Sequence, residues 1–272
     1  MLLLNPDAKP EPDYLDRLLS TIDQGGPNES NAIGGATGRL LREPVNGQAP
    51  LIDACGMRLT PTWRHLDRAS GQPDRGQHDT RELVFGATGA ISLFRRAALE
   101  DVAIAGRVFD DWFHTYREDA ELCFRLQERG WDVLYEPAAR ATHRRLVVPG
   151  RRRQLSPAVN FHSLKNRYLI RLYHQTAANF LATLPFTLFR DALALGWVLL
   201  AERDSLPAYR WLWRNRIALL DRRRLIQGRK KRSIESWFLR DHVPVTAPVD
   251  ARPKQATTVE EPQASPRAGT SS

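Results

Sequence analysis

The sequence predicts an α/β domain followed by a helical region and a polar tail. Three observations predict it. Apolar segments of alternating strand and helix character succeed one another up to about residue 147. From Ser163 to Arg240 the text changes to continuous helix-like periodicity. From about Asp241 it becomes rich in Pro, Thr, Ala and Ser without any period, which predicts a disordered tail. The organisation expected is therefore 1–150, 151–240 and 241–272. With 272 residues, and seven Trp, six Tyr and ten Phe among them, the chain carries ample apolar surface for a core.

The elements follow in order. Leu2–Leu4 reads as the end of a buried strand, which sets the expectation that residues upstream belong to the same unit. Asn5-Pro6-Asp7 follows at once, so there is no apolar stretch of signal-peptide length. Pro12 opens a helix whose Tyr14, Leu15, Leu18, Leu19 and Ile22 repeat at helical spacing, closed by Gly25-Gly26-Pro27. Ala32–Leu41 and Leu51–Thr60 are strands, and Gly71–Thr80 is a loop. Leu83–Phe94 reads as one strand with small residues at its centre, and Arg95–Val102 as a short helix. Glu118–Arg129 is a helix stopped by Gly130. Trp131–Tyr135 is a strand, broken at Pro137 and continued in extended form to His143.

In the helical region, Leu172–Phe189 carries no formal charge, and Arg190-Asp191 separates it from Ala192–Ala201. This predicts a buried or interfacial helical pair rather than one membrane-spanning helix. Charge is distributed unevenly. Lys and Arg number 40 against 31 Asp and Glu, and Arg203–Arg240 alone holds twelve basic and three acidic residues, so 12 − 3 = +9 equals the whole excess. With Trp211, Trp213 and Trp237 interleaved, the segment reads as an amphipathic face for an anionic membrane surface. The other reading is a helix packed on the domain with a solvated basic face. No RNP-type, zinc-finger or bZIP pattern accompanies it, so nucleic acid is not the expected partner. Cys55 and Cys123 are the only cysteines, and they fit neither a disulfide framework nor a structural zinc site.

The densest chemistry lies between Phe109 and Glu121. Asp110, Asp111, Glu118, Asp119 and Glu121 place five carboxylates in thirteen residues, interleaved with Trp112, Phe113 and Tyr116. Acids at a helix start are stabilised by the helix dipole, which accounts for Glu118 and Asp119 in part. Aromatic walls around carboxylates in the approach to the helix suit a general base or a sugar site.

The run Gly86–Arg96, then Phe109-Asp110-Asp111-Trp112-Phe113, then Tyr116-Arg117-Glu118-Asp119-Ala120-Glu121-Leu122, resembles the family 2 glycosyltransferases, nearest their rhamnosyltransferase-like branch. Gly130–His143, Leu4-Asn5-Pro6-Asp7 and Lys165-Asn166-Arg167 are similar to further motifs of that family, and the likeness covers about residues 1–170. Glu121 stands where Asp is usual, and His114 where a second Phe is common. The resemblance implies a GT-A, Rossmann-like fold of which this chain carries the C-terminal half. It implies inverting transfer of a sugar from a nucleotide diphosphate to a hydroxyl of a lipid-linked or cell-envelope glycan, at the cytoplasmic face of the membrane.

The resemblance also implies roles. Asp119 matches the catalytic base. Asn5 and Asp7 match the motif for the donor diphosphate and its divalent metal, Mg²⁺ or Mn²⁺. Glu118, Asp111 and Trp112 fall on the acceptor side. His143 is either a further metal ligand or a structural histidine. Arg144, Arg145 and Arg167, with Arg151–Arg153, are either a diphosphate clamp or solvated cations. The family's N-terminal nucleotide-binding βαβ half has no counterpart here, so a non-catalytic fragment is the alternative expectation.

Overall fold

A computed structural model describes residues 1–25, 32–43, 50–144 and 156–245. Arg145, Arg151–Arg153 and the tail beyond 245 lie outside the described residues. The strands are β1 (Leu2–Leu4), β2 (Ala8–Pro10), β3 (Ile33–Arg42), β4 (Ile52–Ala54), β5 (Met57–Leu59), β6 (His65–Asp67), β7 (Glu82–Val84), β8 (Ile91–Phe94), β9 (Asp132–His143) and β10 (His242–Pro244). The helices are α1 (Tyr14–Gln24), α2 (Arg96–Val102), α3 (Glu118–Arg129), α4 (Pro157–His174), α5 (Ala177–Ala201), α6 (Pro207–Arg214) and α7 (Arg216–Gly228).

The main sheet runs β1-β8-β3-β9-β7-β10, with β2 added to the end of β9 and β4 to the end of β3. Its centre is the parallel pair β3 and β9, flanked by antiparallel partners. This is the mixed α/β architecture expected. One face is covered by α1. Tyr14 is buried there, and its hydroxyl accepts the Gly38 N–H at 3.1 Å. Against the sheet, α3 is buried on nearly all sides. The Gln127 side-chain amide donates to the Val84 and Phe85 carbonyls, and Phe124 stacks on Trp63 and meets Phe85 edge-on. A Glu121–Arg125 ion pair is sealed inside this layer, and Arg125 also donates to the Val108 carbonyl at 2.7 Å.

Several expectations are corrected. Among the described residues Leu2–Leu4 pairs with β8 alone, and Leu2 and Leu4 are exposed, where a buried strand was expected. Leu51–Thr60 is two strands, because Gly56 takes φ +79° and turns the chain between them. Leu83–Phe94 is likewise two strands with an irregular connection at 85–90. There a Cβ on Gly86 would stand 2.6 Å from Cys123, and one on Gly89 would stand 3.2 Å from Asp119. Small residues in this stretch let α3 approach, which is a different use from strand formation. Pro137 does not end β9. It falls at a register shift between Gly38 and Arg39 of the neighbouring strand.

In the second half, α4 is capped by Ser156 and begins with Pro157, and a Thr176–Asn179 capping box opens α5. Arg190-Asp191 does not divide the next stretch, because α5 is one continuous helix of 25 residues with Pro185 in its interior. The asparate's charge is met by Arg167 and Arg171 of α4, so the helix continues past it. Residues 242–244, expected in the tail, form β10 and pair with β7.

Candidate active site

The five-carboxylate segment is positioned by three devices. The first is the start of α3. Asp119 lies in its first turn, where its Oδ1 accepts the Ala120 N–H at 2.7 Å and its Oδ2 accepts the Gly89 N–H at 2.8 Å. The second is a left-handed run of backbone. His114, Tyr116 and Arg117 have φ of 62°, 61° and 72°, a conformation that costs non-glycine residues about 1–3 kcal/mol each. The third holds that run in place. The Asn166 side chain on α4, fully buried, donates to the carbonyls of Phe113, Thr115 and Tyr116 at 2.9, 2.8 and 2.6 Å.

A cavity of about 500 Å³ opens at the carboxyl end of β1. Asp119, Glu118, Asp110 and Asp111 line it together with Asn5, Gly89, Phe109 and His114. Asn5 arrives there because β1 and β8 are antiparallel, and its N–H donates to the Ala90 carbonyl at 2.8 Å. Burial is the leading influence on three of the acids. It pushes the Asp119 carboxyl above the usual range against the backbone N–H donors of Gly89 and Ala120. It raises Asp110, and it raises Glu118 with help from the neighbouring Asp119. Asp111 stands at the exposed rim and pairs with Arg107 at 2.8 Å.

Asp7 is not among the residues lining that cavity. Because β2 pairs with the end of β9, Asp7 sits beside His143, with its Oδ1 3.4 Å from His143 Nε2. The other ring nitrogen, Nδ1, lies 2.8 Å from Asp53 on β4, and Arg42 approaches Asp53 at 3.4 Å. The Arg144 N–H donates to the Asp7 carbonyl at 3.1 Å, so that residue is fixed here through its backbone. No cluster of three or more acidic, His or Cys side chains suited to a metal occurs among the described residues. The pair Asp7–His143 nonetheless fits part of a metal site. Ligands adjacent on one cation, with bonds of about 2.1 Å, stand about 3 Å apart, and Mg²⁺ is commonly held by one or two carboxylates plus substrate phosphates. The carboxylate behind His143 is the arrangement that orients a ligating imidazole.

Two predicted residues are elsewhere. Trp112 packs edge-on against Trp211 of α6 at 5.2 Å, and its carbonyl accepts from Lys165 Nζ at 2.5 Å. Arg167 pairs with Asp191 and lines a separate pocket with Arg117 and Arg190. Three residues with a part in the site were not singled out from sequence. Asp110 was within the acidic run but undistinguished from its neighbours. Asp53 is an isolated acid in an apolar strand, a signal of a buried polar partner. Asn166 lay within a motif whose purpose only the contacts reveal.

Residues 60–220 match the family described as Glycosyl transferase family group 2. The chain belongs to this family. The matched stretch of the group 2 glycosyltransferase includes the acidic cavity wall, α4 and α5, and begins after Asp7. Among curated proteins, two from Mycobacterium tuberculosis, strains CDC 1551 / Oshkosh and ATCC 25618 / H37Rv, are similar. Each is an N-acetylglucosaminyl-diphospho-decaprenol L-rhamnosyltransferase, 28% identical over 159 residues, which is 56% of this chain and 48% of the relative. The chain spans about half the length of the curated relatives it matches.

Proposed function

We propose that this group 2 glycosyltransferase transfers a sugar, with inversion, from a nucleotide-diphosphate donor to a hydroxyl of a lipid-linked or cell-envelope glycan. The observation that carries the reading is Asp119. It is a carboxylate with both oxygens fixed by backbone N–H groups, facing a cavity shared with Asn5, Asp110 and Glu118. A base held this way keeps one orientation without needing a side-chain partner.

In the proposed reaction Asp119 takes the proton of the acceptor hydroxyl as that oxygen bonds to the anomeric carbon. The bond from that carbon to the diphosphate breaks on the opposite face. Asp110 and Glu118 line the same cavity, where their carboxyl groups are placed to hydrogen-bond acceptor hydroxyls. Asp7 with His143 would hold a divalent metal, whose charge would neutralise the departing diphosphate. The two relatives act on a lipid-linked diphosphate acceptor, and an acceptor of that class, met at the cytoplasmic membrane face, is the one proposed here.

The test is transfer of labelled sugar from a panel of nucleotide sugars to a polyprenyl-diphosphate-linked N-acetylglucosamine, by the natural protein from its own host. Product formed by wild type and lost in Asp119→Asn supports the reading. Product retained in Asp119→Asn overturns the role of Asp119, and no product from any donor overturns the transferase reading.

A further inference from the structure

In a water-soluble helix the apolar stripe faces the core and the polar face meets solvent. In α5 the arrangement is reversed. The stripe facing the protein is Asn179, Thr183, Thr187, Asp191 and Val198, four of the five polar. The outward surface carries Leu181, Phe186, Leu188, Phe189, Leu193 and Leu200, between 52% and 87% exposed. Ten large apolar side chains of this one helix are exposed, which is far from the scatter of single residues on an ordinary surface. The helix is the one among the described residues long and apolar enough to cross a membrane.

The inward contacts decide its orientation. At the amino end, Trp63 Nε1 donates to Thr183 Oγ1 at 3.1 Å, and Asn179 Nδ2 donates to Glu235 at 3.3 Å. In the middle, Asp191 takes Arg167 and Arg171 of α4. At the carboxyl end, Val198 packs with Leu164 and Ala208. The helix is thus fastened along its whole length of about 37 Å, at 1.5 Å per residue. A spanning orientation would carry Arg167, Arg171 and Glu235 into hydrocarbon, where charged groups are strongly disfavoured.

The neighbouring surface continues the pattern. Phe180 of α5 shares a groove of about 720 Å³ with Trp213, Leu220 and Arg216 of α6 and α7. Several cations of the basic segment are turned inward and are not a headgroup patch. Arg223 donates to the Gln175 carbonyl, Arg229 to the Ala103 carbonyl, and Lys230 and Arg232 pair with Glu128 and Asp132.

We propose that α5 lies in the plane of a phospholipid bilayer and inserts its outward leucine and phenylalanine face among the acyl chains. The helix is a one-sided anchor, held by apolar contact, and Trp213 with Arg216 stands at the headgroup level. The occupant is the bilayer itself. Polar residues face the protein and leucines face outward, which is the pattern a helix takes when the surroundings are more apolar than the body it rests on. The inference does not depend on sugar transfer, and its test has no turnover readout.

Cys55 and Cys123 are both buried, so single cysteines placed at Leu181, Leu188 and Leu200 take an environment-sensitive dye selectively, with Glu100→Cys as an exposed control. The expected result is co-flotation with neutral phosphatidylcholine vesicles that persists at high salt. The dye should blue-shift at all three α5 positions and not at Glu100→Cys, and lipids brominated at set depths should quench all three at one shallow depth. Leu188→Asp combined with Phe189→Asp should reduce flotation at least tenfold with an unchanged circular dichroism spectrum. Quenching that deepens to a maximum at Leu188 would mean a spanning helix and overturn the proposal. So would a blue shift without vesicles in a dimeric species, binding confined to anionic vesicles at low salt, or no flotation.

Discussion

The Asp119 carboxylate accepts the Gly89 N–H at 2.8 Å, joining the first turn of α3 to the connection between β7 and β8. That single bond aligns the proposed base with the strand edge where Asn5 enters the cavity. Replacing Asp119 by Asn keeps the size of the side chain and removes the charge. Transfer should fall by about 10²–10⁴-fold, the usual contribution of general base catalysis. The pH profile adds a second check. Burial raises the Asp119 carboxyl above its usual 3.8, so in wild type kcat/KM should decline toward acid with a midpoint above that value. The same shift means the fold prefers the protonated form. Its contribution to stability is present below about 3.8 and is lost as pH rises through the raised value. Asp119→Asn relieves that penalty but sets its amide nitrogen against one of the two backbone N–H donors, so the melting temperature at pH 7, measured by calorimetry, should change little.

A second carboxylate behaves oppositely. Glu121 is fully buried, and although burial alone would raise it, Arg125 and His174 hold it down to about 2. Its stabilising contribution is present above the usual 4.5 and is lost as pH falls toward 2. Glu121→Gln leaves Arg125 charged without its carboxylate, while His174 keeps Glu128, a loss of about 3–5 kcal/mol for a buried pair broken on one side. The melting temperature of Glu121→Gln should lie well below wild type at pH 6, and the gap should close as pH falls from about 4 to 2.

Much of this was legible in sequence where periodicity and turn chemistry agree. The limits of α3, its glycine stop and the 71–80 loop follow from such local signals, and so did the acidic run that lines the cavity. What was not legible depends on contacts between distant residues. Small residues at 86–90 look like strand, yet their smallness serves the approach of Cys123 and Asp119. Arg190-Asp191 looks like a break, yet Arg167 and Arg171 neutralise the aspartate from another helix. The twelve basic residues look like a single patch, and only coordinates separate those turned inward from those at the surface. Composition located α5 as apolar, but not that its apolar face points away from the protein.

Glycine at 38 is required by a close approach. A Cβ there would stand 2.1 Å from the Ala139 carbonyl oxygen and 2.6 Å from the Tyr14 ring, at the register shift between β3 and β9. A backbone oxygen in the central strand pair cannot move aside, so Gly38→Ala should destabilise by about 1–3 kcal/mol or more. Gly196 in α5 has nothing within 4 Å of its Cβ position. Gly196→Ala should stabilise the helix by about 0.5–1 kcal/mol. Urea unfolding of the two variants checks both signs, and equal effects would refute the packing argument.

Asn166 is predicted to be a positioning residue for Asp119. It holds three carbonyls of the left-handed run that leads into α3, and it touches neither the cavity nor Asp119 itself. Asn166→Ala should release that run, whose φ values are unfavourable for His114, Tyr116 and Arg117. A displacement of about 1 Å at the base is enough to cost ~10²-fold in rate. The loss should fall on kcat, with little change in KM for the donor, because the proposed donor side at Asp7 and His143 is built on other strands. Asn166→Asp is similar in size but offers a carboxylate to three carbonyls, and should be at least as impaired. A purely structural role would instead lower the yield of folded protein and leave kcat per folded molecule unchanged. Steady-state kinetics normalised to folded protein, measured by near-UV circular dichroism, separates the two.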